Sequence, residues 1–332
     1  MKPLSPFQLY LLLGLAVIAG FLLSLASGTL DIPLFKTLAG LLTGAENSSV
    51  MILREIRLPR AVLGILVGAS LGLSGAAMQG FLRNPLAEPG ILGVSGGASL
   101  GAVLTLYTGV YAAFPLALPL GGLAGALISV GLLYAMAGRL PGTVTLVLAG
   151  AALNILAYAL TNVFLNLSTN PWAPVELVFW QMGSLADRSF YHVQLVLPFM
   201  LAGALLLFRD GQALDALTLG EDAARSLGVP VRAAALRMAL GTALCTGAAV
   251  AVCGNIGFVG LVIPHLLRPL AGYEPRRLLG ASALGGAALV LFADAAVRLI
   301  PSPVELKLGV LTSLVGAPFF IALIYKMRRE IF

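Results

Sequence analysis

The chain has 332 residues, of which 59% are hydrophobic and only 10% are charged, with a formal net charge of +6. Soluble globular domains carry about 25% charged residues, so this composition excludes a soluble protein and indicates an integral membrane protein. Stretches such as AVLGILVGASLGLSGAAM (61–78) show no alternation of apolar and polar residues, which favours helices over a β-barrel.

Ten apolar stretches reach or approach the roughly 20 residues that a transmembrane helix needs. In chain order they are 7–27, 61–82, 91–109, 114–137, 144–167, 191–208, 234–253, 256–270, 277–297 and 309–326. The first lacks the basic flank and small-residue cleavage site of a signal peptide, so we predict a retained helix. The eighth is short and contains Pro264, which disfavours a regular helix. We predict an all-α integral membrane protein with about ten transmembrane helices, forming a single domain over 1–332.

Small residues recur at four-residue spacing in the second and third predicted spans. The two rows are Gly64, Gly68 and Gly72, and Gly93, Gly97 and Gly101. In a membrane such rows allow two helix backbones to approach closely. They therefore predict close packing and carry no information about chemistry.

Charge and proline interrupt the chain between these two spans, in RNPLAEPG (83–90). Proline removes a backbone donor and ends a helix. Freed backbone groups are tolerated at membrane depth only where protein or a water-filled cavity surrounds them. The interruption is therefore expected to be surrounded by protein or by a water-filled cavity.

The longest polar segment between spans on the inner side is 209–233, within which TLGEDAARSLG (218–228) is predicted to form a short helix. Thr218 or Gly220 can cap it, acidic residues fill its first turn, and Gly228 followed by Pro230 ends it. A capped polar helix between two spans can be a connector or a lever on which another protein acts.

The distribution of basic residues predicts the orientation. With ten spans both termini lie on the same side, and the basic tail KMRREIF indicates the cytoplasm, which places 13 of the 20 Lys and Arg residues inside. The exception is LREIRLPR, which places Arg54, Arg57 and Arg60 outside. These arginines are either interfacial anchors or acceptors for an acidic partner, because the planar guanidinium pairs well with carboxylates.

Several kinds of chemistry have no support in the sequence. There is no Gly-Lys pair anywhere, so the chain has no P-loop of its own. The two histidines are far apart, and Cys245 and Cys253 lie eight residues apart on one predicted helix, too far for a disulfide. Asp294 is the one acid placed inside a span, and Arg298, one helical turn on, is its expected partner. We expect no enzymatic activity, bound metal, cofactor or nucleic-acid partner.

Four motifs, in order, carry a resemblance to a known family. They are RLPRAVLGILVGASLGLSGAAMQGFLRNPLAEPGILGVSGGASLGA (57–102), LTLGEDAARSLGVPV (217–231), GNIGFVGLVIPHLLR (254–268), and ADAAVRL (293–299) with GAPFFIALI (316–324). The sequence resembles the FecCD-type permeases, the ten-helix membrane subunits of type II ABC importers for vitamin B12, haem and ferric siderophores. The resemblance implies that fold, and the permease function, for the whole chain.

The resemblance also implies the partners. A permease of this family forms a homodimer in the bacterial inner membrane, with two copies of a separate ATPase that binds ATP and Mg²⁺ and with a periplasmic substrate-binding protein. The transport pathway lies between the two copies, lined mainly by the second and fifth helices.

Three groups of functional residues follow from the matching positions. The cytoplasmic gate is expected at Asn84, Leu86 and Thr143. Docking of the binding protein is expected at Arg57, Arg60 and Arg298. Coupling to the ATPase is expected in the segment 210–233, at Gly220, Glu221, Arg225, Leu227 and Gly228.

Two other functions are weighed against the importer. An ion-coupled secondary transporter also uses broken helices, but it needs coupling-ion carboxylates near the midplane, and Asp294 is the only candidate. An ion channel needs a selectivity filter or a charged ring, and neither is evident. The substrate remains open among ferric siderophores, haem, cobalamin and even an oxyanion.

Overall fold

The computed structural model describes residues 4–28, 30, 32–45, 47–114, 116–137, 143–168, 172–300 and 305–331. Within these residues every regular element is a helix. The α-helices are α1 (Pro6–Ala26), α2 (Leu34–Leu42), α3 (Ser48–Ile52), α4 (Leu58–Phe81), α5 (Val94–Tyr107), α6 (Val110–Ala113), α7 (Ala117–Ala137), α8 (Thr143–Asn166), α9 (Ala173–Gln181), α10 (Phe190–Arg209), α11 (Gly211–Leu217), α12 (Glu221–Ser226), α13 (Val231–Cys253), α14 (Val259–Leu267), α15 (Pro275–Leu299) and α16 (Leu308–Ile331). A π-helical turn (Leu53–Arg57) precedes α4, and a 3₁₀ turn (Pro89–Leu92) precedes α5.

The all-helical membrane character is confirmed, but the count of about ten spans is not. Among the described residues, seven helices are long and apolar enough to cross a membrane, and Val94–Tyr107 and Leu308–Ala322 are shorter apolar helices. The predicted eighth span, 256–270, yields only the nine-residue α14. At 1.5 Å per residue it extends about 14 Å, half of a bilayer core. It starts after Phe258, whose φ of 67° departs from helical geometry.

Close contact between α4 and α15 forms the centre of the molecule, and it depends on glycine. A Cβ built on Gly72 would lie 2.1 Å from the carbonyl oxygen of Ser282, and one built on Gly286 would lie 2.1 Å from that of Gly68. Only glycine at these positions lets the two backbones meet. The packing role predicted for the first glycine row is confirmed at Gly68 and Gly72.

The second glycine row has the same role between α5 and α7. A Cβ on Gly97 would lie 2.5 Å from the carbonyl oxygen of Gly125, and one on Gly101 would lie 2.0 Å from that of Gly121. These contacts hold the short helix α5 directly against α7. The packing predicted for this row is likewise confirmed.

We expect Gly72→Ala to destabilise the folded chain by about 1–3 kcal/mol, because the new methyl group would meet backbone atoms that cannot move alone. The matched control is Gly14→Ala on α1, where an added Cβ meets nothing within 4 Å. Thermal unfolding of both variants in detergent measures the difference. An equal effect of the two substitutions would contradict the close packing of α4 on α15.

The two ends of the helix bundle are distinguished by what lies at each. Helix α4 has 24 residues and extends about 36 Å, from the Arg57 end, here called the arginine end, to the Arg83 end, here called the coupling end. Helix α1 begins at the coupling end, since the Leu4 N–H donates to the carbonyl of Leu270 at 3.2 Å and the Tyr10 hydroxyl donates to that of Arg277 at 3.1 Å.

Candidate functional site

A cluster of buried charged side chains lies at the arginine end, where α4 begins and α15 ends. Arg60 Nη2 lies 2.8 Å from Asp294 Oδ1, and Arg298 Nη2 lies 2.8 Å from Asp294 Oδ2. One carboxylate therefore neutralises two guanidinium groups. The side chain of Asp294 is only 1% exposed, and burying a charge is tolerable only with such partners. The predicted pair of Asp294 and Arg298 is confirmed, and Arg60 is an additional partner.

A second acid, Glu305, closes the cluster on its solvent side. Its carboxylate pairs with Arg60 Nη2, and its Oε2 atom accepts from Arg60 Nη1 at 3.3 Å. Its side chain is 34% exposed, in contrast to that of Asp294. Burial alone would raise the pKa of Glu305. The hydrogen bond from Arg60 and the charges of Arg60 and Arg298 lower the pKa by more than burial raises it, so the pKa lies below its ordinary value.

Arginine side chains also hold the end of α1. Arg57 Nη1 donates to the carbonyls of Leu25 and Ala26, both at 2.8 Å, and Arg298 Nη1 donates to that of Ser27 at 2.9 Å. The last carbonyls of a helix lack partners within the helix and attract positive charge. The arginines thus join the end of α1 to α4 and α15.

The three arginines predicted to dock a binding protein are therefore engaged inside the chain. Arg57 is 4% and Arg60 8% exposed, and the side chain of Arg298 is 7% exposed. They are not the solvent-facing acceptors that the sequence suggested, because the ends of three helices meet on them. Their role toward a binding protein stays a prediction.

The turn after α4 contains two of the predicted gate residues. Arg83 adopts the left-handed region, with a φ of 49°. The Asn84 Oδ1 atom accepts a hydrogen bond from the Leu86 N–H at 2.9 Å, an Asx turn that stabilises the reversal. Asn84 is exposed and Leu86 half-buried. Thr143 is the first residue of α8, and its side chain lies outside the described part of the chain.

Beyond this turn lies a cavity of about 1120 Å³, here called the lateral cavity. It is bordered by the 3₁₀ turn and by residues of α4, α5, α8, α9, α13, α14 and α16, most of them apolar. The polar side chains on its wall are Glu88, Ser95, Asn154, Gln181, Thr246, Asn255 and Ser313. None of these was predicted as a site residue from the sequence, because they come from segments that only the fold brings together.

Asn154 of α8 holds one wall of the lateral cavity in place. Its Nδ2 atom donates to the carbonyl of Gly90 at 2.7 Å, and its Oδ1 atom accepts from the Gly96 N–H at 3.3 Å. One amide therefore links the fifth predicted span to both the 3₁₀ turn and the start of α5. In the sequence, the feature that could have identified Asn154 as a functional candidate was its position as a polar residue within an apolar stretch.

The predicted coupling segment folds as two short helices, α11 and α12. Its predicted inner helix is shorter than expected, covering only Glu221–Ser226. Gly220 is its N-cap, with a φ of 106°, and no side chain caps it, so Thr218 is excluded as the cap. Gly228 follows the helix with a φ of 81°, which favours glycine. At the start of the segment, Asp210 Oδ1 lies 2.6 Å from Arg237 Nη2 of α13.

The surface of α12 combines exposed charge with exposed leucine. Arg225 pairs with Glu221 at 3.3 Å and with Asp222 at 3.5 Å, all within the helix. Leu219 and Leu227, at its two ends, are 69% and 65% exposed. These exposed leucines are available for contact with a partner. Leu227 was predicted from the sequence as a coupling residue, whereas Leu219 was not.

Neither a metal site nor a disulfide is found in the part of the chain that the structure describes. No group of three His, Cys, Asp or Glu side chains there is arranged to hold a metal ion. Cys245 and Cys253 are free and buried, as predicted for small packing residues.

Comparison with known proteins gives concordant results. The profile described as the FecCD transport family matches residues 16–326. The haemin transport permease HmuU of Yersinia pestis is 38% identical, over 96% of this chain and 97% of its own length. The Fe(3+) dicitrate transport permease FecD of Escherichia coli is also 38% identical, over 96% of this chain and 99% of its own.

A solved structure has the same fold. It is described as an inward-facing conformation of a metal-chelate type ABC transporter, and it superposes with a TM-score of 0.83 at 30% identity. The match covers 97% of this chain and all of the other.

Proposed function

Because the chain belongs to the FecCD transport family, we propose that it is the permease subunit of an ATP-driven importer that moves a metal chelate across the bacterial inner membrane. The observation that carries the proposal is likeness over nearly the whole length to permeases for haemin and ferric dicitrate. Ferric siderophore, haem and cobalamin all fall within this class. Identifying the ligand that co-purifies with the partner binding protein would decide among them.

The energy must come from a partner, since the chain has no Gly-Lys pair and hence no P-loop. We propose two copies of an ATPase that binds ATP and Mg²⁺ and docks on α12, with Leu219 and Leu227 as the apolar contacts. Co-expression and purification of the tagged chain should yield a complex of two permeases and two ATPases. Recovery of the chain alone, folded and without ATPase, would contradict the proposal.

The placement of both chain ends supports a cytoplasmic location for the termini and for the coupling end. Helix α1 begins beside Leu270 at the coupling end. Helix α16 begins three residues after Glu305, which contacts Arg60 at the arginine end, so α16 leads back toward the coupling end. In this orientation the coupling segment meets the ATPase, and the arginine end faces the periplasm.

A second copy of the chain is proposed to cover the lateral cavity and to form the transport pathway with it. The cavity is bordered by α8 and α16, and nearby side chains of both helices, such as Tyr158 (65% exposed) and Leu314 (69%), remain open. Asn84 and Leu86, in the turn beside the cavity, would then face their counterparts across the dimer axis and close the pathway at the cytoplasmic side.

Cysteines introduced at residue 84 or 86 in both copies are therefore expected to form a crosslink across the dimer in the nucleotide-free complex. The crosslink yield should fall when nucleotide changes the state of the gate. Non-reducing electrophoresis of the assembled complex gives the yield, with a cysteine at Leu11, exposed on α1, as the control. Failure to crosslink in every nucleotide state would remove this turn from the axis.

Docking of a binding protein at the arginine end would require a rearrangement. Arg60 is already paired with Glu305, the more exposed of its two acids. An acidic side chain from a binding protein can reach Arg60 most directly by replacing Glu305. Glu305 would then act as an internal competitor that holds Arg60 until docking.

Glu305→Gln is therefore expected to tighten binding of the binding protein by up to about fivefold, because an ion pair this exposed is worth about 0.2–1 kcal/mol. Titration of the labelled binding protein against the complex in nanodiscs measures the affinity. The control is Glu55→Gln, an exposed acid at the same end. If Glu305→Gln weakens binding, Glu305 is itself a docking residue and not a competitor.

A further inference from the structure

A second, smaller pocket lies at the coupling end, apart from the lateral cavity. It has a volume of about 220 Å³ and is lined by residues of three separate segments. Gln79 comes from the end of α4 and Arg83 from the turn after it, Thr218 from the coupling segment, and Arg268 and Tyr273 from the joint between α14 and α15. We call it the coupling-end pocket.

Two guanidinium groups give this pocket a positive charge. In the part of the chain that the structure describes, neither Arg83 nor Arg268 forms an ion pair. This contrasts with the arginine end, where carboxylates neutralise Arg60 and Arg298. Arginine stays protonated at physiological pH even when burial lowers its pKa, as it does for Arg268.

Arg268 has one buried hydrogen-bond donor without an acceptor among the described residues. Its Nη2 atom donates to Gln79 Oε1 at 2.5 Å, and the same amide is oriented by its own donation to the Leu261 carbonyl at 3.2 Å. The Nε–H of Arg268 is buried and has no acceptor among the described residues. A partly buried charged group without a counter-ion is costly, so an anion bound in the pocket beside this guanidinium would be favoured.

The chemistry of the pocket selects the class of that anion. Two cations repel a metal ion or an ammonium group, and arginine forks match the oxygens of phosphate and carboxylate groups. The volume is about a fifth of that of the lateral cavity, so the pocket is unsuited to a metal chelate as cargo. A compact oxyanion satisfies both the charge and the size.

We propose that the coupling-end pocket binds a phosphate group, held between Arg83 and Arg268, either as free phosphate or as the headgroup of an anionic phospholipid. Arg83 belongs to the turn that carries Asn84, and its Nη1 atom lies 3.9 Å from a Cβ built on Gly220, the N-cap of α12. A bound phosphate would therefore join the turn after α4, the coupling segment and the joint before α15, and would stiffen the junction between them. The proposal does not depend on which cargo the chain moves.

The test compares thermal unfolding of the full chain in detergent with sodium phosphate and with sodium chloride at equal ionic strength. A ligand that binds only the folded state raises the melting temperature in a saturable way. We expect such a rise for the wild type and a loss of at least tenfold in apparent phosphate affinity for Arg268→Gln. Arg83→Gln, at an exposed residue that leaves the core intact, should weaken binding as well. Arg225→Gln, at an exposed arginine of the same end, is the control and should behave as wild type.

A second arm distinguishes the two sources of phosphate. The same variants are placed in nanodiscs of phosphatidylcholine with and without phosphatidic acid. Stabilisation by phosphatidic acid alone, lost in Arg83→Gln, would assign the pocket to a lipid headgroup, and stabilisation by inorganic phosphate would assign it to the free ion. If neither probe stabilises the wild type, or if Arg83→Gln and Arg268→Gln respond as the wild type does, the proposal is overturned.

Discussion

Replacing Asp294 with asparagine is expected to destabilise the folded chain by about 3–5 kcal/mol, the cost of removing one member of a buried ion pair. The carboxylate is 1% exposed and lies 2.8 Å from both Arg60 and Arg298. Asparagine keeps the size of the side chain but leaves two buried cations with reduced neutralisation. Because the ends of α1, α4 and α15 meet on these arginines, the loss should affect the whole molecule.

Reversible unfolding in mixed detergents gives the free energy of unfolding. Asp222→Asn is the control, because that side chain is fully exposed and its loss should change the stability by less than about 0.5 kcal/mol. Adding Arg298→Gln to Asp294→Asn should restore part of the stability, since one unpaired buried cation is removed along with its acid. A loss below about 1 kcal/mol for Asp294→Asn would show that the cluster contributes little.

Exchanging the two charges of α12, in the double variant Glu221→Arg with Arg225→Glu, is expected to reduce ATP-driven uptake at least tenfold. The pair lies 3.3 Å apart at i,i+4 spacing, and the exchange keeps the pair while reversing the charges that a partner meets. Such a surface pair is worth only about 0.3–0.5 kcal/mol, so the fold should be unaffected. Loss of function would therefore report on the contact with the ATPase.

The matched control is the same exchange at Glu274 and Arg277, a half-exposed pair 2.6 Å apart and outside the coupling segment. Uptake in proteoliposomes, ATPase activity and co-purification of the two subunits are measured together. The expected pattern is normal folding in both variants and loss of coupling only in the first. Normal uptake by the α12 variant would show that its charges have no part in coupling.

Local sequence patterns predicted much of the fold, because they determine local structure. Apolar stretches predicted the long helices, and the glycine spacing predicted close packing, which the structure places between Gly68, Gly72 and α15. The interruption of the helix at 83–90 was predicted from its prolines, and the structure adds the Asx turn of Asn84. Hydropathy could not separate a span from a short buried helix, and for this reason α14 was predicted too long.

The polar contacts between distant segments were beyond the reach of the sequence. Arg60 lies 234 residues from Asp294 and 245 from Glu305, and no local pattern indicates such pairs. Arg57, Arg60 and Arg298 were therefore interpreted as a surface for a partner, whereas the fold buries them. The lateral cavity likewise depends on the packing of seven helices.

Uptake of the metal chelate bound by the partner binding protein, in proteoliposomes that contain this chain and its ATPase, tests the central claim most directly. If the chain is an ABC permease, uptake will require ATP and Mg²⁺ on the side of the ATPase, will stop when the ATPase is omitted, and will persist when ion gradients are collapsed. Uptake driven by a proton or sodium gradient in liposomes that contain this chain without an ATPase would contradict the account and identify a secondary transporter.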